Sequence, residues 1–256
     1  MAIEETKISA GSYDLNKFLS GGYEKEIITT ICGNAGTGKT NLCLLASVSQ
    51  AKKGNKVIYI DTEGGFSIER VKQIAGNEYE EILKNIILLK PTSFEEQKKA
   101  FSSLLKEIRE KGKIGLIIID GMTMLYRLEL AEKAQKEKES REKSQEKNKD
   151  NIKEANSELA RQMRILAEIS RKQNIPVIIT NQVYTEFITR EQKENGWKAE
   201  TRMVGGDILK YWSKCIILLE NEQGRRKLII KKHRSLPQKE LSFTITNEGI
   251  KKRGWI

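Results

Sequence analysis

The stretch "GNAGTGKT", Gly33 to Thr40, has the spacing G-x-x-x-x-G-K-T. Glycines at 33, 36 and 38 let successive backbone N–H groups turn inward on one anion. A lysine and a hydroxyl follow directly. Together they make a triphosphate cradle. Gly33, Asn34, Ala35, Gly36, Thr37, Gly38 and Asn41 are the residues expected to bind ATP beside the lysine and hydroxyl, with backbone N–H groups of the loop and the helix N-terminus meeting phosphate oxygens. Lys39 reaches the β- and γ-phosphates, and Thr40 ligands Mg²⁺. A glycine-rich turn has the same composition, so the flanks decide between the two. "EIITTIC" before the loop is an apolar, β-branched run that fits a buried strand. "TNLCLLASVSQAKK" after it has helical apolar spacing and ends at Gly54. Strand, loop and helix is the context that ATP binding by this motif requires.

Other chemistry-bearing residues sit where further strands end. "KVIYID" (56–61), "NIILLK" (85–90), "GLIIID" (115–120) and "IPVIITNQ" (175–182) read as buried parallel strands. Helical patterns separate them. In "SFEEQKKAFSSLLKEIREKG", Ser93 and Glu96 have capping-box spacing and Gly112 closes the run. In "NSELARQMRILAEISRKQN", Leu159, Met163, Leu166 and Ile169 form one apolar face. Alternation of this kind predicts an α/β fold with a doubly wound, mostly parallel sheet. After residue 213, "KCIILLE", "RRKLIIKKH" and "LSFTITNEG" follow without intervening helices and predict antiparallel strands at one edge.

Ligands of such sheets bind at the carboxyl ends of the strands. Those ends carry Lys39 and Thr40, then Asp61 and Glu63, then Asp120, then Asn181 and Gln182. One such residue is only a strand ending in something polar; four ends facing one crevice are a catalytic constellation. Asp120 takes the Mg²⁺ side. Many phosphate-loop motors place a glutamate directly after that aspartate, but here Gly121 follows. Glu63 is therefore the expected carboxylate that orients water toward the γ-phosphate, with Gln182 placed to hydrogen-bond that phosphate and report it to the segment beyond.

The chain of 256 residues suits one domain spanning 1–256, with room for a full core. It starts without a basic and apolar leader, and its longest apolar runs are far too short to span a bilayer. Cys32, Cys43 and Cys215 form no C-x-x-C pair and read as reduced core thiols of a cytoplasmic protein. His233 is the single histidine, which argues against histidine-based metal sites and triads. Of the net charge of +11, residues 188–256 hold 16 lysines and arginines against 8 acids. This asymmetry points to a polyanion partner, although a lysine-rich composition alone produces a similar excess.

The local sequences "GGYEKEIITTICGNAGTGKTN", "VIYIDTEGGFSIER", "ELARQMRILAEISRKQNIPVIITNQVY" and "LPQKELSFTITNEGI" closely resemble archaeal RadA and its eukaryotic recombinase relatives, of the RecA type. The resemblance spans nearly the whole chain, apart from about 128–156 and 186–203. It begins at the ATPase core, without RadA's small N-terminal DNA-binding domain or a Phe-x-x-Ala polymerisation motif. "KKHRSLPQKE" stands where RadA has an aspartate-containing cap over a neighbour's ATP. These departures imply a core-only paralogue. The resemblance further implies that Arg70 stacks on adenine, the alternative being a solvated helix arginine. It makes Arg161 and Gln162 a DNA-facing helix start, and sets two DNA-binding loops near 127–157 and 184–205. The second loop holds Lys198 and Arg202 as phosphate contacts. Tyr184, Phe187 and Trp197 are interleaved there and suit base stacking; packing of Trp197 against the loop's own root is the alternative.

Residues 132–154 hold 8 basic and 7 acidic side chains and no aromatic. Such mixed charge fits a charged loop or helical excursion, over 128–156, better than a DNA grip. The implied function is a DNA repair and recombination protein that binds ATP, Mg²⁺ and single-stranded or branched DNA. It hydrolyses ATP weakly and assists a RadA-type recombinase and a Holliday-junction resolvase, with self-association open. Two alternatives stand beside it: a full DNA-dependent recombinase ATPase, and a KaiC-like signalling ATPase without nucleic acid.

Overall fold

The computed structural model describes residues 5–110, 113–139, 145–185 and 201–254. A strand pair, β1 (Lys7–Ile8) with β2 (Tyr23–Glu24), precedes the main sheet. Between them lies the short helix α1 (Tyr13–Phe18). The parallel strands are β3 (Ile28–Gly33), β4 (Lys56–Asp61), β5 (Ile86–Leu89), β6 (Ile114–Asp120) and β7 (Val177–Asn181). A small hairpin, β8 (Val183–Thr185) with β9 (Thr201–Met203), extends from the end of β7. Four strands complete the sheet: β10 (Ser213–Glu222), β11 (Arg225–Lys232), β12 (Glu240–Thr246) and β13 (Gly249–Lys252). The nine strands run in the order β13-β12-β11-β10-β3-β7-β6-β4-β5.

The C-terminal strands differ from expectation in one respect. β10 pairs parallel with β3, from Ser213 opposite Ile28 to Leu219 opposite Gly33, and only its outer edge is antiparallel. It is buried on both faces, like the parallel strands, so its apolar run "CIILL" carries no sign of direction.

Helices cover both faces. On one lie α2 (Lys39–Lys52), α3 (Ile68–Ala75) and α4 (Tyr79–Lys84). α2 is buried nearly all round, through Leu42, Cys43, Leu44, Leu45, Ala46 and Val48. On the other lie α5 (Phe94–Glu110), α6 (Met124–Glu139), α7 (Gln145–Lys172) and the short α8 (Gly206–Trp212). The expected stripe Leu159, Met163, Leu166, Ile169 is buried there, each side chain contributing roughly 1.5–3 kcal/mol. Ser93 accepts the Glu96 N–H at 3.1 Å as a capping residue. The Glu96 carboxylate returns mainly to the N–H and hydroxyl of Thr92, at 2.7 and 3.0 Å, and the Ser93 N–H adds to the pull that lowers it. The expected terminator Gly112 lies outside the described residues. All three cysteines are free and buried, and burial pushes the Cys32 and Cys215 thiols up to about 12. Among the described residues no helix is long and apolar enough to cross a membrane.

The charged excursion is helical on both arms. Its base packs through Leu125, Tyr126, Ala155 and Leu159, and Tyr126 Oη donates to Asn156 Oδ1 at 2.6 Å. Farther out, Lys133 bridges Glu129 at 3.1 Å and Glu154 at 3.5 Å. No described side chain at 132–135 or 150–154 is buried. Replacing 132–154 with a short Gly/Ser linker is therefore expected to cost no more than about 1 kcal/mol, the value of exposed ion pairs. Thermal melts with and without ATP check this; a large loss of melting temperature would show that the outer arms pack on the domain.

Candidate functional site

The loop Gly33–Gly38 joins β3 to α2. Its first glycine has no room for a side chain: a Cβ there would fall 2.5 Å from the Leu219 carbonyl oxygen. Gly38 caps α2 at φ 107°, a left-handed conformation that favours glycine, and a Cβ would sit 3.1 Å from Ile245 Cδ1. Asn34, Ala35 and Gly36 are exposed, while Thr37 is buried and donates to the Asn34 carbonyl at 2.8 Å. Lys39 folds back over the loop. Its Nζ donates to the carbonyls of Gly33 at 2.9 Å and Asn34 at 3.0 Å. Burial pulls its ammonium below the usual lysine range, opposed by the charges of Glu63 and Asp120.

The neighbouring strand ends converge on this loop. Asp61, at the end of β4, is buried and accepts backbone N–H groups from Glu63 (3.2 Å), Gly65 (3.1 Å) and Phe66 (2.9 Å). It shapes the turn, leaving Glu63 exposed above the crevice. Asp120, at the end of β6, accepts Tyr59 Oη at 2.7 Å and Thr180 Oγ1 at 2.6 Å. Burial and the nearby Asp120 charge hold the Tyr59 phenol well above its ordinary value, so it remains a donor. At the end of β7, Gln182 Nε2 meets Glu63 Oε1 at 3.5 Å. Asn181 is buried between Thr123, whose hydroxyl donates to its Oδ1, and the Val204 carbonyl, which accepts its Nδ2 at 2.7 Å.

The expected cation ligands lie on either side of Gly65. A Cβ on that glycine would be 3.3 Å from Thr40 Oγ1 and 3.8 Å from Asp120 Oδ2. One hydroxyl and one carboxylate around a small gap fit Mg²⁺, which takes few protein oxygens and completes its shell with phosphate and water. No group of three or more His, Cys, Asp or Glu that would cage a metal occurs among the described residues.

Arg70 lies at the far wall. Ser67 caps α3 and accepts the Arg70 N–H at 3.1 Å. The guanidinium donates to Asn41 Oδ1 (2.7 Å), Gln73 Oε1 (2.8 Å) and the carbonyls of Thr246 (2.7 Å) and Asn247 (3.1 Å). Its in-plane donors thus tie α2 to the β12–β13 turn, and only its faces are left for stacking. The Asn41 side-chain oxygen is taken up in this clasp, so any phosphate contact from Asn41 falls to its backbone.

Three expectations about the DNA side are corrected or left outside. Arg161 is in the body of α7, not at a helix start. Gln162 is fully buried, so it faces the core and not DNA. Its helix continues from the charged excursion, whose outer arm moves the start of α7 back to Gln145. Trp197 and Lys198 lie outside the described residues, whereas Arg202 stands on β9 opposite the 49% exposed Tyr184. The segment 233–239, which stands where RadA has a cap over a neighbour's ATP, lies away from this chain's own phosphate loop. β11 runs antiparallel to β10, which carries that segment to the opposite end of the sheet. There Arg234 Nε and Ser235 Oγ donate to the buried Glu24 carboxylate at 2.5 and 3.2 Å.

Sequence reasoning missed Tyr59 and Thr180 as partners of Asp120. The signal was faint: a hydroxyl within each of the apolar runs "VIYID" and "IITNQ".

A phosphate loop at one strand end, a carboxylate on the next strand but one, and a polar pair on the strand between them define a RecA-type core. The Rad51 family model matches residues 3–253, and the chain belongs to that family. Relatives that it resembles over most of its length include archaeal RadB proteins, paralogues within the RecA family. It is 42% identical to "DNA repair and recombination protein RadB" of Methanococcus maripaludis strain C7 over 240 residues, covering 92% of this chain and 96% of the relative. The RadB of Methanocaldococcus jannaschii is 41% identical over 236 residues, at 92% and 98% coverage. That of Methanobrevibacter smithii is 39% identical over 242 residues, at 92% of each chain.

Proposed function

We propose that this chain binds ATP with Mg²⁺ and DNA in recombinational DNA repair in the cytoplasm, as an accessory to a RadA-type recombinase and a Holliday-junction resolvase. ATP is hydrolysed slowly and acts mainly as a conformational ligand. The observation that carries the nucleotide reading is the convergence of Thr40 and Asp120 across Gly65, with Lys39 on one side and Glu63 against Gln182 on the other. The DNA reading is supported by the names of the relatives and by the basic C-terminal quarter.

In this reading the loop amides and Lys39 hold the phosphates, and Lys39 exchanges its two carbonyl partners for phosphate oxygens. Thr40, and Asp120 through water, would hold Mg²⁺, which would supply neutralisation of phosphate charge. Tyr59 and Thr180 fix the Asp120 rotamer. Glu63 orients water, and Arg70 offers its face to the adenine. Gln182 senses the γ-phosphate. Its neighbour Asn181, bonded to Val204, passes the displacement to the root of the second loop. Lys198 and Arg202 contact DNA phosphates, Trp197 stacks on a base, and Arg161 adds a contact from α7.

A DNA titration in several salt concentrations, with and without ATP, tests this. Log affinity for a single strand should fall linearly with log salt, with a slope of about −0.7 per phosphate neutralised. Changing Lys198 and Arg202 together to alanine should flatten the slope by roughly one to two. Trp197→Ala should cost about 1–3 kcal/mol with little change of slope. Salt-independent binding, or an unchanged double variant, would reduce the basic quarter to composition and favour a signalling ATPase.

A further inference from the structure

Arg161 is half exposed on α7, yet it is not available as it stands. Its Nε donates to Glu158 Oε2 at 2.7 Å and its Nη2 to Glu158 Oε1 at 2.9 Å, a bidentate pair. Arg161 is 47% exposed and Glu158 only 15%. A pair one helical turn apart on a surface is ordinarily a minor stabilising contact. Two features separate this one from that bland case.

The first is that Glu158 is tied inward. Its Oε1 also accepts Gln162 Nε2 at 3.0 Å. Gln162 Oε1 accepts Gln97 Nε2 at 2.8 Å, and Gln97 Nε2 also donates to the Met122 carbonyl at 3.3 Å. Both glutamines are fully buried. The direction of this chain is not free. A carbonyl accepts only, so Met122 sets which end of the Gln97 amide faces it. That choice sets Gln162, and Gln162 in turn presents a donor to Glu158.

The second is where the chain begins. Met122 lies two residues beyond Asp120. Its N–H donates to the Thr180 carbonyl at 3.0 Å, and Gly121 N–H donates to Thr180 Oγ1 at 2.8 Å. Thr180 Oγ1 in turn holds Asp120. The chain is also incomplete at one point: Gln97 Oε1 is buried without a partner. An orphan acceptor beside a long 3.3 Å bond leaves the amide pair poised to turn over if Met122 withdraws. Turned over, Gln162 would aim its oxygen at Glu158 and repel it from the geometry that grips Arg161.

We propose that Glu158 is a positioning residue that latches Arg161 away from DNA, with the Gln97–Gln162 amide pair linking the latch to the strand end that carries Asp120. This rests on the reading of Arg161 as a DNA contact.

The test is DNA affinity and its salt slope for Glu158→Gln, Arg161→Ala, the double variant and Gln97→Met, in the intact chain with and without ATP. Glu158→Gln should tighten nucleotide-free binding about two- to fivefold, the value of releasing one such pair. It should also steepen the salt slope by about 0.7, one further phosphate contact. Arg161→Ala should weaken binding and cancel the gain in the double variant. Gln97→Met should bind ATP normally while the effect of ATP on DNA affinity shrinks. If Arg161→Ala weakens binding but Glu158→Gln leaves affinity and slope unchanged, the latch is wrong and the DNA contact stands. If Arg161→Ala has no effect, both are wrong.

Discussion

Lys39→Ala is expected to weaken ATP binding by roughly 30- to 150-fold, or about 2–3 kcal/mol, the value of charge-assisted bonds to phosphate. The ammonium is buried and bonded to the carbonyls of Gly33 and Asn34. Removing it therefore also deletes a side-chain donor to the buried Gly33 carbonyl, at about 1–3 kcal/mol of stability. The two effects separate experimentally. A nucleotide titration reads the affinity. Thermal melts without nucleotide read the stability, and the rise of melting temperature on adding ATP, which follows affinity by mass action, should vanish. An affinity within threefold of the unaltered chain would remove Lys39 from phosphate binding.

Glu63→Gln should stop residual hydrolysis and leave binding intact. A positioned carboxylate that draws a proton from the attacking water contributes about 10²–10⁴-fold, so turnover should fall by at least about 100-fold. The substitution isolates charge from shape. Glu63 is exposed, which removes any folding penalty, and a glutamine oxygen still accepts from Gln182 Nε2 as Glu63 Oε1 does at 3.5 Å. Single-turnover hydrolysis beside equilibrium ATP binding measures both. Equal turnover would take Glu63 out of the mechanism and leave the water to be oriented by another group. A loss of ATP affinity would instead make Glu63 part of the nucleotide pocket.

The residues named from strand ends were legible because a parallel sheet always delivers those ends to one edge. Glu63, Asp120 and Gln182 were named on that rule, beside the Lys39 and Thr40 of the phosphate-loop motif. Gln162 was misassigned for the opposite reason. A glutamine next to an exposed arginine reads as polar surface, but one step along a helix is a turn of about 100°. That step carries its side chain from solvent into the cluster with Gln97 and Met122. The charged excursion was ambiguous between loop and helix because mixed charge supports either. The bonds that join its two arms, Tyr126 to Asn156 and Lys133 to Glu154, have no local signature.

By itself the sequence determined the phosphate loop, the alternation of strands and helices, and the set of polar strand ends. Each depends on residues within a few positions of one another, through backbone torsions, apolar periodicity and the geometry of one strand-loop-helix turn. Tertiary structure alone decided what depends on register between distant segments. That includes the parallel pairing of β10 with β3, the clamp of Tyr59 and Thr180 on Asp120, and the grip of Arg70 on Asn41 and the β12–β13 turn. It also includes the docking of Arg234 on Glu24 far from the phosphate loop. A hydrogen bond between residues 60 or 200 positions apart forms only after the sheet has ordered both partners, so no short window of sequence carries its mark.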